Sequence, residues 1–249
     1  MMFRPARLVP GVLALLATLA NAQDTADNVN LFQTYFQDAT IAKSINGEGF
    51  FQYGTYNNFS IIDLAAQSAF PVSPRFQVGG AWAFESVSPD QGDSQNGVTD
   101  IAVSGRYQVV QGKTPVAIGA LFTLPVGSEE IGDGNFNFGF FGSLRHDVES
   151  SPIVLAGTFG LDFVESAGLG GNSDRNTSVL IAGSVIYPMR SGLGLVFEIN
   201  MRPDDDYALL SGGLDYPLRG GGRVRGALGL GLDDAAPDFA FRLGYALGF

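Results

Sequence analysis

The last eleven residues, Phe239 to Phe249, read F-A-F-R-L-G-Y-A-L-G-F. Phe239, Phe241, Leu243, Tyr245, Leu247 and Phe249 are large and apolar, whereas Ala240, Arg242, Gly244, Ala246 and Gly248 between them are small or polar. Strict alternation with period two is the pattern of a strand with one apolar face. A soluble fold gives no reason to finish on such a strand with an aromatic last residue. A closed barrel in a membrane does, because its last strand meets lipid at every second position and completes the ring.

The same alternation recurs through the chain. From Gly47 onward about twelve segments show it: 49–56, 61–70, 75–86, 99–109, 116–124, 135–146, 153–164, 178–187, 193–202, 207–218, 223–232 and the terminal strand. The connections alternate in character too. Residues 71–74, 111–115, 147–152, 190–192 and 219–222 are short turns. Most of the others are longer and carry acids, among them Asp90, Asp93, Glu129, Glu130, Asp133, Glu165, Asp174, Asp204 to Asp206, Asp233 and Asp234. The first, at Asn57-Asn58, is a short exception. Short turns at one end, long loops at the other and an even strand number are what a barrel with both termini in the periplasm requires. Ten or fourteen strands would fit if one segment were miscounted.

Aromatic residues sort by the same frame. Phe70, Phe76, Tyr107, Tyr187, Tyr216 and Phe249 fall at the strand ends next to short turns. Phe59, Phe84, Phe122, Phe136, Phe163, Tyr207 and Phe239 fall next to the long loops. Two such belts match the two interfaces of a bilayer. A β-sandwich, the soluble alternative, gives no account of the double banding. The expected fold is therefore an all-β transmembrane antiparallel β-barrel of about twelve strands, residues 47–249, with a short N-terminal extension.

The N-terminus agrees with export. Arg4 and Arg7 precede an apolar run from Leu8 to Leu19, and Ala20-Asn21-Ala22 offers a small-x-small cleavage site before Gln23. Residues 1–22 read as a secretory signal peptide, too short in its apolar core to span a bilayer. With no Cys in the chain, a lipoprotein anchor, disulfides and thiolate metal sites are all ruled out. Removing residues 1–22 leaves about 227 residues with a net charge near −13, a balance that argues against nucleic acid as a partner.

Residues 23–46 begin polar and then cluster Leu31, Phe32, Tyr35 and Phe36. They form either a periplasmic segment or a plug folded into the barrel mouth, since an apolar cluster needs something to bury against.

If the large apolar set faces lipid, the opposite set lines the lumen. It includes Glu48, Asp63, Glu85, Asp100, Asp162, Glu198, Asp215 and Asp238, and Arg75, Arg106, Arg145, Arg202, Arg223, Arg225 and Arg242. Near-parity of sign and Arg in place of Lys favour fixed Arg–carboxylate networks over a one-sign selectivity track. Two readings follow: a constricted polar path for small molecules, or a structural or surface-interaction barrel with a closed, charge-networked lumen. The acidic runs 204–206 and 233–234 are candidates for bridging to lipopolysaccharide through divalent cations, but lack the spacing of a calcium loop. Catalysis is not expected. His146 is the only His, and alternation turns Ser143, the nearby serine, into the lumen. Neither a metal site nor a cofactor site is indicated.

Two resemblances add to this. The terminal strand, with Phe249 last and Tyr245 and Leu247 before it, resembles the C-terminal signature read by the bacterial outer-membrane assembly machinery. That implies this machinery and outer-membrane lipid as partners. In the middle of the chain, Asp100-Ile101-Ala102-Val103-Ser104-Gly105-Arg106-Tyr107 leads to Pro115-Val116-Ala117-Ile118-Gly119, then to Leu124-Pro125-Val126-Gly127 and Ile131-Gly132-Asp133-Gly134. This progression resembles the outer-membrane proteins named for the phenol meta-cleavage pathway, over roughly residues 40 to 145, with Val126 where that family usually has Thr. The resemblance implies a barrel that helps hydrophobic or aromatic compounds cross the outer membrane.

Overall fold

In a computed structural model, which describes residues 29–167, 173–189 and 191–248, the chain forms a closed antiparallel barrel. The strands are β1 (Asn46–Tyr56), β2 (Phe59–Ser73), β3 (Phe76–Pro89), β4 (Gln95–Val98), β5 (Ile101–Val110), β6 (Val116–Leu124) and β7 (Asn137–Asp147). They continue as β8 (Val154–Ala167), β9 (Ser173–Pro188), β10 (Gly194–Arg202), β11 (Tyr207–Pro217), β12 (Arg223–Gly231) and β13 (Phe239–Gly248). All but β4 make the wall, each hydrogen-bonded to its neighbours in sequence. The ring closes where β1 pairs with β13, from Asn46 opposite Gly248 to Thr55 opposite Phe239. Closure leaves the wall no free edge, so backbone groups are satisfied inside a bilayer. No helix among the described residues is long and apolar enough to cross a membrane.

Sidedness follows from the pleat. In β7, Asn137, Gly139, Phe141, Ser143 and Arg145 are buried and alternate with exposed or half-buried Phe138, Phe140, Gly142 and Leu144. Around the outside, Leu64, Trp82, Ile118, Phe140, Phe159, Phe197, Leu228 and Leu243 are all at least half exposed. A soluble protein does not present so large an apolar surface, and lipid is the solvent that suits it. The long-loop end is the outer one by the usual asymmetry of such barrels. Phe70, Phe76, Tyr107, Tyr187 and Tyr216 ring the inner end. At the outer end Phe122 stacks on Phe136 with centroids 6.0 Å apart, and Phe138 on Phe163 at 5.0 Å.

Three features differ from the sequence expectation. The loop expected over 87–97 contains β4. The β3 strand outlasts β5, which pairs only with Phe76–Ala81, and Gln95–Val98 takes up the free outer stretch Phe84–Val87. Strands β8 and β9 pair as far as Ala167 and Ser173, beyond the expected ends at 164 and 178, through polar sequence that carries no apolar alternation. Tyr207, expected in the outer belt, occupies a lumen-facing position, sharing parity with buried Leu209, Ser211 and Asp215. The signal peptide and Phe249 lie outside the described residues; Tyr245 is exposed and Leu247 buried.

Candidate functional site: a lumen crossed by the N-terminal segment

The bore is occupied by residues 29–45. Val29, Leu31, Phe32, Thr34, Tyr35, Asp38 and Ala39 are buried there, with a single 3-10 turn at Tyr35–Gln37. The segment has no ladder of its own, so its backbone groups must be met by wall side chains. Its first limb is held by β10 to β13. Phe32 N and Gln33 N donate to Glu198 Oε2 at 2.9 and 3.2 Å, and Gln33 Nε2 donates to Ser211 Oγ at 2.5 Å. Arg225 donates to Asn30 O at 2.6 Å and Leu31 O at 3.2 Å, and Arg242 to Phe32 O at 3.0 Å. The Arg225 guanidinium also lies 4.3 Å from the Phe32 ring centroid, within cation–π range.

The returning limb is held by the opposite wall. Arg106 donates to Tyr35 O at 3.0 Å, Thr158 Oγ1 to Gln37 O at 2.9 Å and Gln108 Nε2 to Ala39 O at 2.9 Å. Arg145 pairs with Asp38 Oδ2 at 2.9 Å, and Ala42 N donates to Gln77 Oε1 at 2.8 Å. The wall is cut back to admit both limbs. A Cβ at Gly194 would come within 2.8 Å of Val29 Cγ2, and one at Gly79 within 2.6 Å of Phe36 Cε1.

Charges inside this plug-like segment are tuned by the wall. Burial pushes the Asp38 carboxyl up, but Arg145, Arg106 and the Thr40 hydrogen bonds outweigh it and hold the group below the usual carboxylate range. The Tyr35 phenol is pushed up to about 12, first by burial and then by Glu48, so it stays a neutral donor; it bonds Asn46 Oδ1.

Beneath the first limb lies a compact charged network. Arg225 is 1% exposed and Asp215 fully buried. Arg225 bridges Glu48 and Asp215, Arg223 also binds Asp215, and Gln67 Nε2 donates to Glu48 Oε2 at 2.7 Å. Arg242 and Glu48 form an ion pair at 3.2 Å whose geometry is not that of a hydrogen bond. Removing one member of such a cluster strands the others in low dielectric, which gives the network its hold on the segment.

The residues singled out from sequence are distributed unevenly. Glu48, Glu198, Asp215, Arg106, Arg145, Arg223, Arg225 and Arg242 are buried in the lumen. Asp162 of β8 and Arg202 of β10 pair at 2.7 Å toward the outer end of the bore, and Asp63 faces Glu85 across β2 and β3. Arg75 and Asp238 do not line the lumen. They share the parity of lumen-facing neighbours but lie beyond their strands, exposed in the turn before β3 and the loop before β13. Asp100 likewise precedes β5 and pins the loop above it, accepting from Gly127 N at 2.7 Å and Asp133 N at 2.9 Å. Of the acidic runs, Asp204 accepts from Val179 N at 3.0 Å and Asp205 from Ser178 Oγ at 2.5 Å, which ties the 203–206 loop to β9. His146 Nδ1 shares a 2.7 Å hydrogen bond with Thr114 Oγ1 at an exposed turn, and Ser143 lies buried on the opposite face of β7.

Sequence reasoning missed the lumen-facing aromatics. Phe50 stacks under Arg242, with Cζ 3.5 Å from the ring centroid, and Phe141 is buried against the wall. The mate that reveals Phe50 is Glu48, two residues earlier on the same face.

The segment divides the remaining space. Above it, toward the outer mouth, is a cavity of about 320 Å³ bounded by Phe36, Gln33, Tyr56, Tyr207 and Asn200. A second outer space, of about 210 Å³, lies beside the Asp162–Arg202 pair. Below, near the inner turns, a space of about 260 Å³ is bounded by Val29, Arg145 and Pro188.

No protein-family model matches the sequence, and no curated protein sequence matches it significantly. Solved structures do match by shape. The COG4313 outer membrane channel from Pseudomonas putida F1 superposes with a TM-score of 0.67 at 12% identity, over 88% of this chain and 100% of that one. The NanC porin gives 0.57 at 12% identity over 83% and 100%, and the KdgM porin in complex with disordered oligogalacturonate 0.56 at 12% over 83% and 99%. The fold of this chain is that of the outer-membrane channels and porins.

Proposed function

We propose that this protein admits small, largely apolar or aromatic molecules passively through the outer membrane, with residues 29–45 acting as the gate. The observation that carries the reading is the way the bore is filled: by a segment held through side chains, with no strand pairing to the wall. Such a segment can leave without breaking the ring. The similarity of fold to channels and porins supports passage, and the resemblance of residues 40–145 to the phenol meta-pathway family supports the class of solute. The structural alternative, a permanently closed barrel, is favoured by the density of buried ion pairs around Arg225. Proteoliposome uptake separates the two. The mature protein and a form lacking residues 23–46 are compared for entry of a small aromatic solute and of a sugar of similar size. The gate reading expects faster entry in the shortened form and preference for the aromatic solute in the complete one. Equal, solute-independent impermeability of both forms would overturn it.

A further inference from the structure

Two buried arginines of the wall, Arg106 of β5 and Arg145 of β7, have their counter-ion in the N-terminal segment. Among the described residues, the one ion pair of Arg145 is with Asp38, at 2.9 Å, and Asp38 is the one carboxylate whose charge acts on Arg106. Arg106 donates to Tyr35 O, and its Nε has no hydrogen-bond partner. The arginines of β12 and β13 differ, because their partners Glu48 and Asp215 belong to the wall and stay when the segment goes. Departure of the segment therefore strands two guanidiniums on the β5–β7 side of a narrow bore, a costly state unless another anion takes the place of Asp38.

What the segment presents to Arg145 has two parts. One is polar: Arg145 Nη1 donates to Asp38 Oδ2 at 2.9 Å and to Thr40 Oγ1 at 3.3 Å. The other is Val29, whose carbonyl accepts from Arg145 Nη2 at 3.2 Å and whose side chain is buried in a cluster with Ile186 and Val196, with Val154 packed against it. One guanidinium thus grips both limbs. A carboxylate and a branched alkyl group meet at it, the two parts of a short-chain fatty acid. The space of about 260 Å³ near the inner turns reaches the same place, bounded in part by Thr40, Arg145, Val154 and Ile186. Among the described residues the one acid in that lining is Asp147, which is exposed.

We propose that Arg145 and Arg106, with the apolar patch of Val154, Ile186 and Val196, form a binding site for a short-chain aliphatic carboxylate, which Asp38 and Val29 fill as tethered stand-ins while the bore is closed. The fork of Arg145 takes the carboxylate oxygens, and the alkyl part covers the ground that Val29 leaves. A ligand that binds the released state and not the docked one shifts the balance by mass action, so the free anion drives the segment out. The inference rests on the gate reading and names what opens the gate, not the solute that crosses.

The test uses the complete mature protein in lipid nanodiscs at fixed ionic strength, with isovalerate, its neutral amide isovaleramide, acetate and chloride as probes. Release of the segment is read as proteolysis within 29–45, and binding by calorimetry. Saturating isovalerate should speed cleavage roughly tenfold or more, whereas isovaleramide and chloride should not. Acetate, which lacks the alkyl part, should need roughly ten times the concentration. Asp38→Asn, which weakens the stand-in, should bind isovalerate more tightly than the wild type. Arg145→Gln should be cleaved faster without ligand and should not respond to isovalerate. Heat-modified electrophoretic mobility reports whether each variant is a folded barrel. An equal response to isovaleramide or chloride, an undiminished response in folded Arg145→Gln, or no gain of affinity in Asp38→Asn would overturn the inference. Planar-bilayer current separates it from the gate reading. Isovalerate-dependent cleavage without current would keep the site and sink the gate, and open events that isovalerate leaves unchanged would keep the gate and sink the site.

Discussion

Arg225→Met is the sharpest perturbation of the gate. The guanidinium makes two charge-assisted hydrogen bonds to the segment, to Asn30 O and Leu31 O, and lies over Phe32. Bonds of this type contribute about 1.5–3 kcal/mol each when buried. The one at 3.2 Å belongs at the low end, and a desolvated cation–π contact adds about 1 kcal/mol. The docked segment should therefore lose about 4 kcal/mol, which shifts the docked-to-released ratio by roughly a thousandfold. Glu198, Ser211 and Arg242 still hold it, so release becomes frequent rather than permanent. The loss of Arg225 also costs the wall, since Glu48 is left to Arg242 and Gln67 and Asp215 to Arg223, but the β1–β13 backbone ladder still closes the ring, which should survive at reduced stability. In planar bilayers, open events should become frequent in Arg225→Met. Protease added from the inner side should cut within 29–45 faster than in the wild type. Arg202→Met, whose hydrogen bond goes to Asp162 on the wall, should stay closed. A folded Arg225→Met barrel with wild-type current and wild-type protease resistance would refute the reasoning.

Other outcomes follow from the same geometry. Gly194→Val places methyl groups where Val29 sits and should weaken docking by about 1–3 kcal/mol, read as earlier proteolysis of the segment in a denaturant series. Leu228→Arg and Leu243→Arg, both half exposed to lipid, should each destabilise the barrel by about 2–4 kcal/mol if near the midplane, measured by urea-dependent folding into vesicles; no change would displace the lipid face by one residue. Asp38 supplies a pH dependence. Its folded value lies below its unfolded one, so its contribution to docking is complete above the ordinary carboxylate range and is lost as pH falls through the lowered value. Current should rise on acidification below that range, and Asp38→Asn should conduct at neutral pH and lose this step.

Much of the wall was legible because lipid on one side and a polar bore on the other impose alternation on every strand. The pattern tells which side of the wall a residue takes, but not where the strand stops. Arg75 and Asp238 have lumen parity and yet lie past the last ladder pairs. Where both faces are polar the signal vanishes, so β4 and the outer ends of β8 and β9 could not be seen. Aromatics on the wet side defeat the rule that large apolar residues face lipid. Phe50 is held by Arg242, 192 positions away in the chain, and Tyr207 caps a cavity that exists only once β11 to β1 are side by side. For residues 23–46 the cluster at 31–36 demanded burial but did not name its partner. Those partners, from Gln77 to Arg242, are spread over most of the wall.

The central claim is that docking of the N-terminal segment closes the bore and its departure opens it. Val29 and Gly194 permit a direct test in a chain that has no cysteine, because a Cβ placed at Gly194 would lie 3.5 Å from Val29 Cβ, within the span of a disulfide. In the double variant Val29→Cys/Gly194→Cys, a disulfide would lock the first limb to β10. Single-channel current should be absent in the oxidised protein and appear on addition of reductant, reversibly and in the same bilayer. Conductance that persists in the oxidised form, with the cross-link verified by mass, would contradict the account.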